Sequence, residues 1–145
     1  MKLNGTHKFK ASSSQVFNAV LNPAVLKSCI PGCESVEYLD ADTIRVSLTT
    51  PLPGLKGPYG IPITIIQRQE PNFFEFQVQR KSAGASVNAT GKINLTDEPG
   101  GALLAYNAHA ELTGAAAIAN NLLGERTIKG SLSSFFKNLD AAIAK

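Results

Sequence analysis

Residues 115–144, AAAIANNLLGERTIKGSLSSFFKNLDAAIA, read as one long helix, and that reading decides the fold. Ile128, Leu132, Phe135, Leu139 and Ala142 recur at alternating steps of 4 and 3, the stripe by which a helix packs on a sheet. At 1.5 Å per residue such a helix is roughly 45 Å long. Its first half differs in kind: Ala115-Ala116-Ala117, Asn120-Asn121 and Gly124, with Gly130 further on, are small or polar. Each interior glycine costs about 1 kcal/mol against alanine. One reading is close backbone packing or a kink. The other is room for a ligand, with fraying that lets it enter. A helix of this kind laid across a curved antiparallel sheet encloses a hollow, so the rest of the chain is read for that sheet.

Upstream of Thr113-Gly114, apolar residues alternate with polar ones. Leu104, Tyr106, Ala108, Ala110 and Leu112 alternate with Asn107, His109 and Glu111. Val87, Ala89, Gly91, Ile93 and Leu95 alternate with Ser86, Asn88, Thr90, Lys92 and Asn94, and Phe74, Phe76 and Val78 with Glu75, Gln77 and Gln79. Turn residues separate them at Asp97–Gly101, Lys81–Gly84 and Glu70-Pro71-Asn72. Ile63–Gln69, Thr43–Thr49 and Cys33–Leu39 read as further strands, the last two joined by a hairpin at Asp40-Ala41-Asp42. Strands with one apolar face and short connections predict an antiparallel meander with one side buried. Lys2–Lys10 predicts a first strand. Ser12-Ser13-Ser14 then offers caps to a short helix carrying Val16, Phe17, Val20 and Leu21. Asn22-Pro23 ends it, and Ala24–Ser28 forms a second short helix with proline at its first position. Pro51–Pro62 holds four of the eight prolines together with Gly54, Gly57 and Gly60, so it reads as a loop, with Pro62 at the edge or start of the next strand. No repeat or linker divides the chain, and residues 1–145 read as one domain.

With 145 residues, 43% hydrophobic and 17% charged, the composition fits one globular core rather than a disordered chain. No apolar run approaches the ~20 residues that span a bilayer, and the N-terminus lacks the apolar segment of a secretory signal. A cytoplasmic protein is expected. The net charge of +3 is too small for the dense phosphate-neutralising patches of nucleic-acid binders. The basic residues are uneven, since Lys2, Lys8, Lys10 and Lys27 precede any acid. They read as solvated faces, or as weak docking to an anionic lipid or protein surface.

The inward sets, Ile44/Val46/Leu48, Phe74/Phe76/Val78, Val87/Ala89/Gly91/Ile93 and Leu104/Tyr106/Ala108/Ala110/Leu112, contain no acid or base. Acid–base catalysis needs a titratable group within hydrogen-bond reach of the substrate. His109 shares a face with Asn107 and Glu111 and reads as solvated. His7 shares parity with Leu3 and Phe9, and an inward His7 reads as a hydrogen-bonded core residue. Cys29 and Cys33, spaced C-x3-C, match neither the thioredoxin-type C-x-x-C nor a four-ligand zinc site, and read as reduced, partly buried thiols. Glu125 and Arg126 read as an exposed helix face. Tyr106, then Tyr38 and Tyr59, are the hydroxyls able to reach a ligand carbonyl.

Phe17…Leu21-Asn22-Pro23…Leu26…Cys29-Ile30-Pro31-Gly32-Cys33-Glu34-Ser35 resembles the G-subunit family of carbon-monoxide dehydrogenase, within the START-like (SRPBCC) helix-grip superfamily. Lys56-Gly57-Pro58-Tyr59-Gly60, Gly101…Leu104-Ala105-Tyr106, Leu123-Gly124-Glu125-Arg126 and Phe135-Phe136-Lys137-Asn138-Leu139 continue the likeness along nearly the whole chain, with Ile-Pro-Gly-Cys the specific part. The resemblance implies an α+β helix-grip fold: a curved antiparallel sheet wrapped around a long C-terminal helix, in the order β-α-α-β6-α. It implies a hydrophobic cavity between sheet and helix, and a place beside molybdenum-containing dehydrogenases in maturation, recruitment or electron delivery. Two departures stand out. Pro51-Leu52-Pro53-Gly54 is richer in proline than the family pattern. The sequence ends at Lys145, where many members continue into a membrane tether, so anchoring is not an expectation it carries.

The sequence reading is a non-catalytic carrier for a lipid-like molecule, with an isoprenoid quinone as the reasonable guest, no metal and no required cofactor. Molybdenum-containing dehydrogenase subunits and peripheral contact with the inner membrane face are the partners it admits. The expected lining is Ile30, Pro31, Leu55, Tyr59, Ile61, Ile63, Phe74, Phe76, Val87, Ala89, Tyr106, Ala108, Ala110, Leu122 and Ile128. The Pro51–Pro62 loop forms the mouth, with Ile30-Pro31 beside it. The alternatives are a polyketide-cyclase-like enzyme, which needs inward acids or bases, and an assembly protein that docks without a ligand.

Overall fold

From the second strand onward, antiparallel pairing links each strand to the next along the chain, and the first strand pairs with the last. The computed structural model describes residues 1–49, 59–82, 85–114 and 122–143, with backbone alone at 48, 59, 82, 85 and 122–124. Within them lie β1 (Lys2–Phe9), α1 (Ser13–Val20), α2 (Pro23–Cys29), β2 (Cys33–Tyr38), β3 (Thr43–Leu48), β4 (Tyr59–Gln69), β5 (Phe73–Ser82), β6 (Ala85–Glu98), β7 (Gly101–Gly114) and α3 (Leu122–Ile143). The strands form one seven-stranded sheet in the order β1-β7-β6-β5-β4-β3-β2. Irregularities between Cys33 and Ser35 and between Ile65 and Gln67 add local twist and help the sheet curve.

Local chemistry fixes the short helices. Ser12 caps α1 by accepting from the Gln15 amide, while the Gln15 side chain accepts from the Ser12 amide, a reciprocal capping box. Asn22 caps α2 by accepting from the amides of Ala24 at 2.9 Å and Val25 at 3.4 Å, with Pro23 opening the helix. The Ser13 amide donates to Asp97 Oδ1 at 2.8 Å, which ties α1 to β6. Asn138 Nδ2 donates to the Cys29 carbonyl at 3.0 Å, which ties α3 to the end of α2.

Apolar burial concentrates where these ties meet. Phe9, Val16, Phe17, Leu95, Leu104, Phe136 and Leu139 pack into the main cluster, with Leu132, Phe135 and Ala142 against it. Leu26, Ile44 and Val46 form a second cluster under α2, and Phe135 touches both. Each such side chain contributes about 1.5–3 kcal/mol when fully buried.

The structure amends the sequence reading in two places, and one further expectation lies partly outside the described residues. The described helix is Leu122–Ile143, and the part expected at 115–121 lies outside the described residues. The strand expected to start near Ile63 begins at Tyr59, so Pro62 sits inside β4 opposite Arg45. The pairing of β4 with β5 begins only at Ile63, so Pro62 and its missing N–H stand where the second ladder has ended. Finally, Phe136 falls outside the expected helix stripe yet is among the buried core residues, because the apolar arc facing the sheet is wider than a 4-3-4-3 seam.

Candidate functional site

Residues directly opposite one another in an antiparallel pair point to the same side of a sheet, so the register defines the concave face. Leu95 faces Leu104, Ile93 faces Tyr106, Gly91 faces Ala108, Ala89 faces Ala110 and Val87 faces Leu112. On β5, Phe74, Phe76 and Val78 meet Ile93, Gly91 and Ala89. On β4, Ile63 meets Val78 on one side and Ile44 on the other, while Ile61 meets Val46. On β1, Leu3, Gly5, His7 and Phe9 meet Ala108, Tyr106, Leu104 and Ala102.

Coverage of this face is uneven. At one end, Phe9, Ala102 and Leu104 are 0% exposed and the helices pack directly on them. Toward the other end, Ile61, Ile63, Phe76, Val78, Val87, Ala89, Tyr106, Ala108, Ala110 and Leu112 are all only half-buried. Apolar side chains at inward positions are thus left partly uncovered along one stretch of the sheet. At its margin a groove of about 430 Å³ opens between Met1, Lys2, Ala110, Leu112, Thr113 and Glu125. A second groove, of about 470 Å³, lies among the polar side chains of the convex face near Gln67, Glu75 and Lys92.

The expected lining residues fall into groups. Ile61, Ile63, Phe76, Val87, Ala89, Tyr106, Ala108 and Ala110 share the half-covered stretch. Phe74 shares the face but lies in the filled end, edge-on to Phe17 at 5.7 Å. Ile30 packs on the second cluster, beside Val46 and Ile63. Pro31 is exposed in the turn before β2, and Ile128 is half-buried on α3. Leu55 lies outside the described residues, as do the side chains of Tyr59 and Leu122 and the expected mouth at 51–58.

The face also carries ionisable groups beyond the inward sets read from sequence. His7 points inward, stacked on Phe136 at 5.5 Å and edge-on to Phe9 at 4.6 Å. Its Nε2 is buried with no hydrogen-bond partner, which corrects the expectation of a hydrogen-bonded core histidine. Arg80, opposite Val87, continues the row of Phe76 and Val78. At the filled end Asp97, opposite Ala102, caps α1, and Arg68, opposite Phe74, reaches Asp42 at 3.4 Å and Glu70 at 3.7 Å. Extending each alternation by two residues, from Val78 to Arg80 and from Leu95 to Asp97, was the signal available in the sequence. Among the described residues, no group of three or more His, Cys, Asp and Glu side chains is placed to hold a metal.

The remaining groups are committed elsewhere. The Tyr38 hydroxyl donates to the Leu21 carbonyl, and burial pushes the phenol above its usual pKa. Burial likewise raises the Cys33 thiol, whose Sγ contacts the Ser35 carbonyl at 3.5 Å, and both cysteines are free. His109 is exposed beside Glu111, and Glu125 pairs with Lys129 at 3.0 Å.

A curved antiparallel sheet folded about a C-terminal helix, with a partly uncovered apolar inner face, defines the START-like helix-grip class. Within that class the chain belongs to the CoxG family, the G subunit of carbon monoxide dehydrogenase, whose pattern matches residues 5–144. A conserved protein from Geobacillus kaustophilus is similar at 28% identity and TM-score 0.84, over 99% of this chain and 95% of that one. A protein from Chromobacterium violaceum is similar at 15% identity and TM-score 0.75, over 99% and 98% of the two chains. One from Mycobacterium smegmatis is similar at 20% identity and TM-score 0.72, over 99% and 90%. No functionally curated protein matches the chain in sequence.

Proposed function

We propose that the protein holds a hydrophobic small molecule, of lipid or isoprenoid-quinone type, against the half-covered stretch of its concave face. We further propose that it serves as an accessory to a molybdenum-containing dehydrogenase of the carbon-monoxide type. The observation that carries the reading is the change in coverage along one continuous apolar face, from 0% exposure at Leu104 to half-burial from Tyr106 to Leu112. Removing such surface from water is worth about 25 cal/mol per Å². Tyr106, on the same face, offers a hydroxyl to orient a polar head. The accessory role rests on the family alone.

The test is native mass spectrometry of the purified protein, before and after incubation with a series of isoprenoid quinones. A bound species is expected in the wild type and is expected to be lost in Ala89→Trp, which fills the centre of the half-covered stretch. A wild-type protein that retains none of them, although Ala89→Trp folds normally, overturns the reading.

A cyclase-like enzyme has one observation in its favour, the inward His7. A catalytic base must reach its substrate within hydrogen-bond distance, and the His7 ring packs against Phe9 and Phe136 with its Nε2 buried. The carrier reading accounts for more of the face.

A further inference from the structure

We propose that the outer corner made by the β2–β3 hairpin and the irregularity in β4 is a docking surface for a partner protein that presents lysine or arginine side chains around an apolar one. Among the described residues, the large apolar side chains that stand exposed are Tyr38, Leu39 and Ile66, and all three lie at this corner. Pairing brings them together. The Leu39 amide donates to the Thr43 carbonyl at 2.8 Å, Thr43 stands opposite Thr64, and the Ile65 amide donates to the Asp42 carbonyl at 2.7 Å. Ile66 is the extra residue between Ile65 and Gln67, so Ile65 packs in the core while Ile66 turns outward, 49% exposed. Tyr38 stands opposite Ile44 on the inner side, so the pleat sends Leu39 to the outer side, 56% exposed. Neither Leu39 nor Ile66 packs in the two apolar clusters, so the core does not account for them.

Acidic side chains ring the pair. Glu37, Asp40 and Asp42 lie on β2 and the hairpin, and Glu70 follows β4, all exposed. The Asp42 amide donates to Asp40 Oδ1 at 2.9 Å and holds that carboxylate on the turn. Arg68 reaches Asp42 at 3.4 Å and Glu70 at 3.7 Å, and Arg45 stands opposite Glu37. Four acids thus meet two bases, and the corner stays negative on a chain of net charge +3. An apolar centre with a polar rim is the anatomy of a protein interface, and the sign of the rim selects a basic partner. The same sign repels an anionic lipid surface. A symmetric contact between two copies of this corner sets acid against acid. Lys2 and Lys8 lie on β1, at the opposite edge of the sheet. Leu39 and Ile66 face away from the half-covered stretch, so the proposal stands apart from the carrier reading and offers the accessory role a place on the molecule.

Amide-shift NMR titration of the isotope-labelled protein with two short synthetic peptides tests this, one repeating Lys-Lys-Leu and the other Glu-Glu-Leu. The basic peptide is expected to shift the amides of Leu39, Asp42 and Ile66, less so as salt is raised, and the acidic peptide to leave them unmoved. Leu39→Ser combined with Ile66→Ser is expected to weaken the basic peptide about tenfold, the scale of one interface anchor. Asp40→Asn combined with Asp42→Asn keeps the turn chemistry and is expected to weaken it severalfold. These side chains are exposed, so the melting temperature is expected to hold. Should the double serine variant not fold, Leu39→Gln takes its place with the same expected outcome. A corner that the basic peptide leaves unmoved, an equal response to both peptides, shifts centred on Ala89 and Ala108, or unchanged binding in the variants would overturn the proposal. A corner shifted by vesicles of phosphatidylcholine and phosphatidylglycerol would assign it to a membrane and overturn it. So would a concentration-dependent dimer in sedimentation that Leu39→Ser abolishes, which would assign it to a second copy. The carrier reading survives each of these results, because quinone retention is measured separately.

Discussion

His7 shows what a single residue can and cannot reveal from its position in a strand. Its parity with Leu3 and Phe9 allowed an inward ring, but its surroundings come from elsewhere: Phe136 of α3, more than 120 residues away, stacks on it at 5.5 Å. Phe9 and Phe136 pack on the imidazole ring, while the buried Nε2 is left without a partner. An unmet buried polar atom costs about 1–3 kcal/mol. His7→Phe keeps the ring contacts and removes that nitrogen. It is expected to stabilise the protein by about 1 kcal/mol, read as a higher urea midpoint at an unchanged slope. A lower midpoint would show that Nε2 makes a favourable contact in solution. Cys33 differs, because burial, visible only in the fold, is the main cause that raises its thiol, with the Glu34 charge adding to it.

At the scale of elements, two glycines make beds for aromatic rings. A Cβ on Gly91 would lie 2.3 Å from the ring tip of Phe76, and one on Gly5 would lie 2.6 Å from the Tyr106 hydroxyl oxygen. Each ring therefore lies over a glycine of the neighbouring strand, and this lets two large side chains lie flat on the concave face. Gly91→Ala is expected to displace Phe76 and to destabilise by about 1–3 kcal/mol, the range for overpacked cores. Thermal or urea unfolding reads the loss. Adding Phe76→Leu is expected to recover part of it, a non-additivity that marks direct contact. A neutral Gly91→Ala would show that the ring does not rest there. The alternation of β6 placed Gly91 on the inner face, but only the register of β5 showed which ring needs the space. Pro62 carries the same lesson. Its place in the ladder depends on where β5 stops pairing, and nothing local in Pro51–Pro62 specifies that.

At the scale of the whole molecule, one face serves two purposes. Its filled end, around Phe9, Leu104 and Leu139, holds the helices to the sheet, while the half-covered end leaves apolar surface for a guest. A molecule that binds the folded state alone raises its stability by about 2.7 kcal/mol at a hundredfold excess over Kd. The melting temperature of the wild type is therefore expected to climb with the concentration of an added amphiphile such as cis-parinaric acid, and that of Ala89→Trp to stay flat. A wild-type melting temperature that ignores the amphiphile would argue that a guest does not occupy this face. No described helix is long and apolar enough to cross a membrane.

The elements and the antiparallel sheet were legible in the sequence because they rest on short-range patterns. Alternation with period 2 marked the strands, capping residues marked α1 and α2, and the Ile30-Pro31-Gly32-Cys33 segment pointed to the family. Tertiary structure alone decided which part of the inner face is filled and which is half-covered, and that His7 lies beneath Phe136. These properties belong to pairs of segments far apart in the chain. Strand register and the placement of the helices across the sheet determine them, and no local pattern encodes either one.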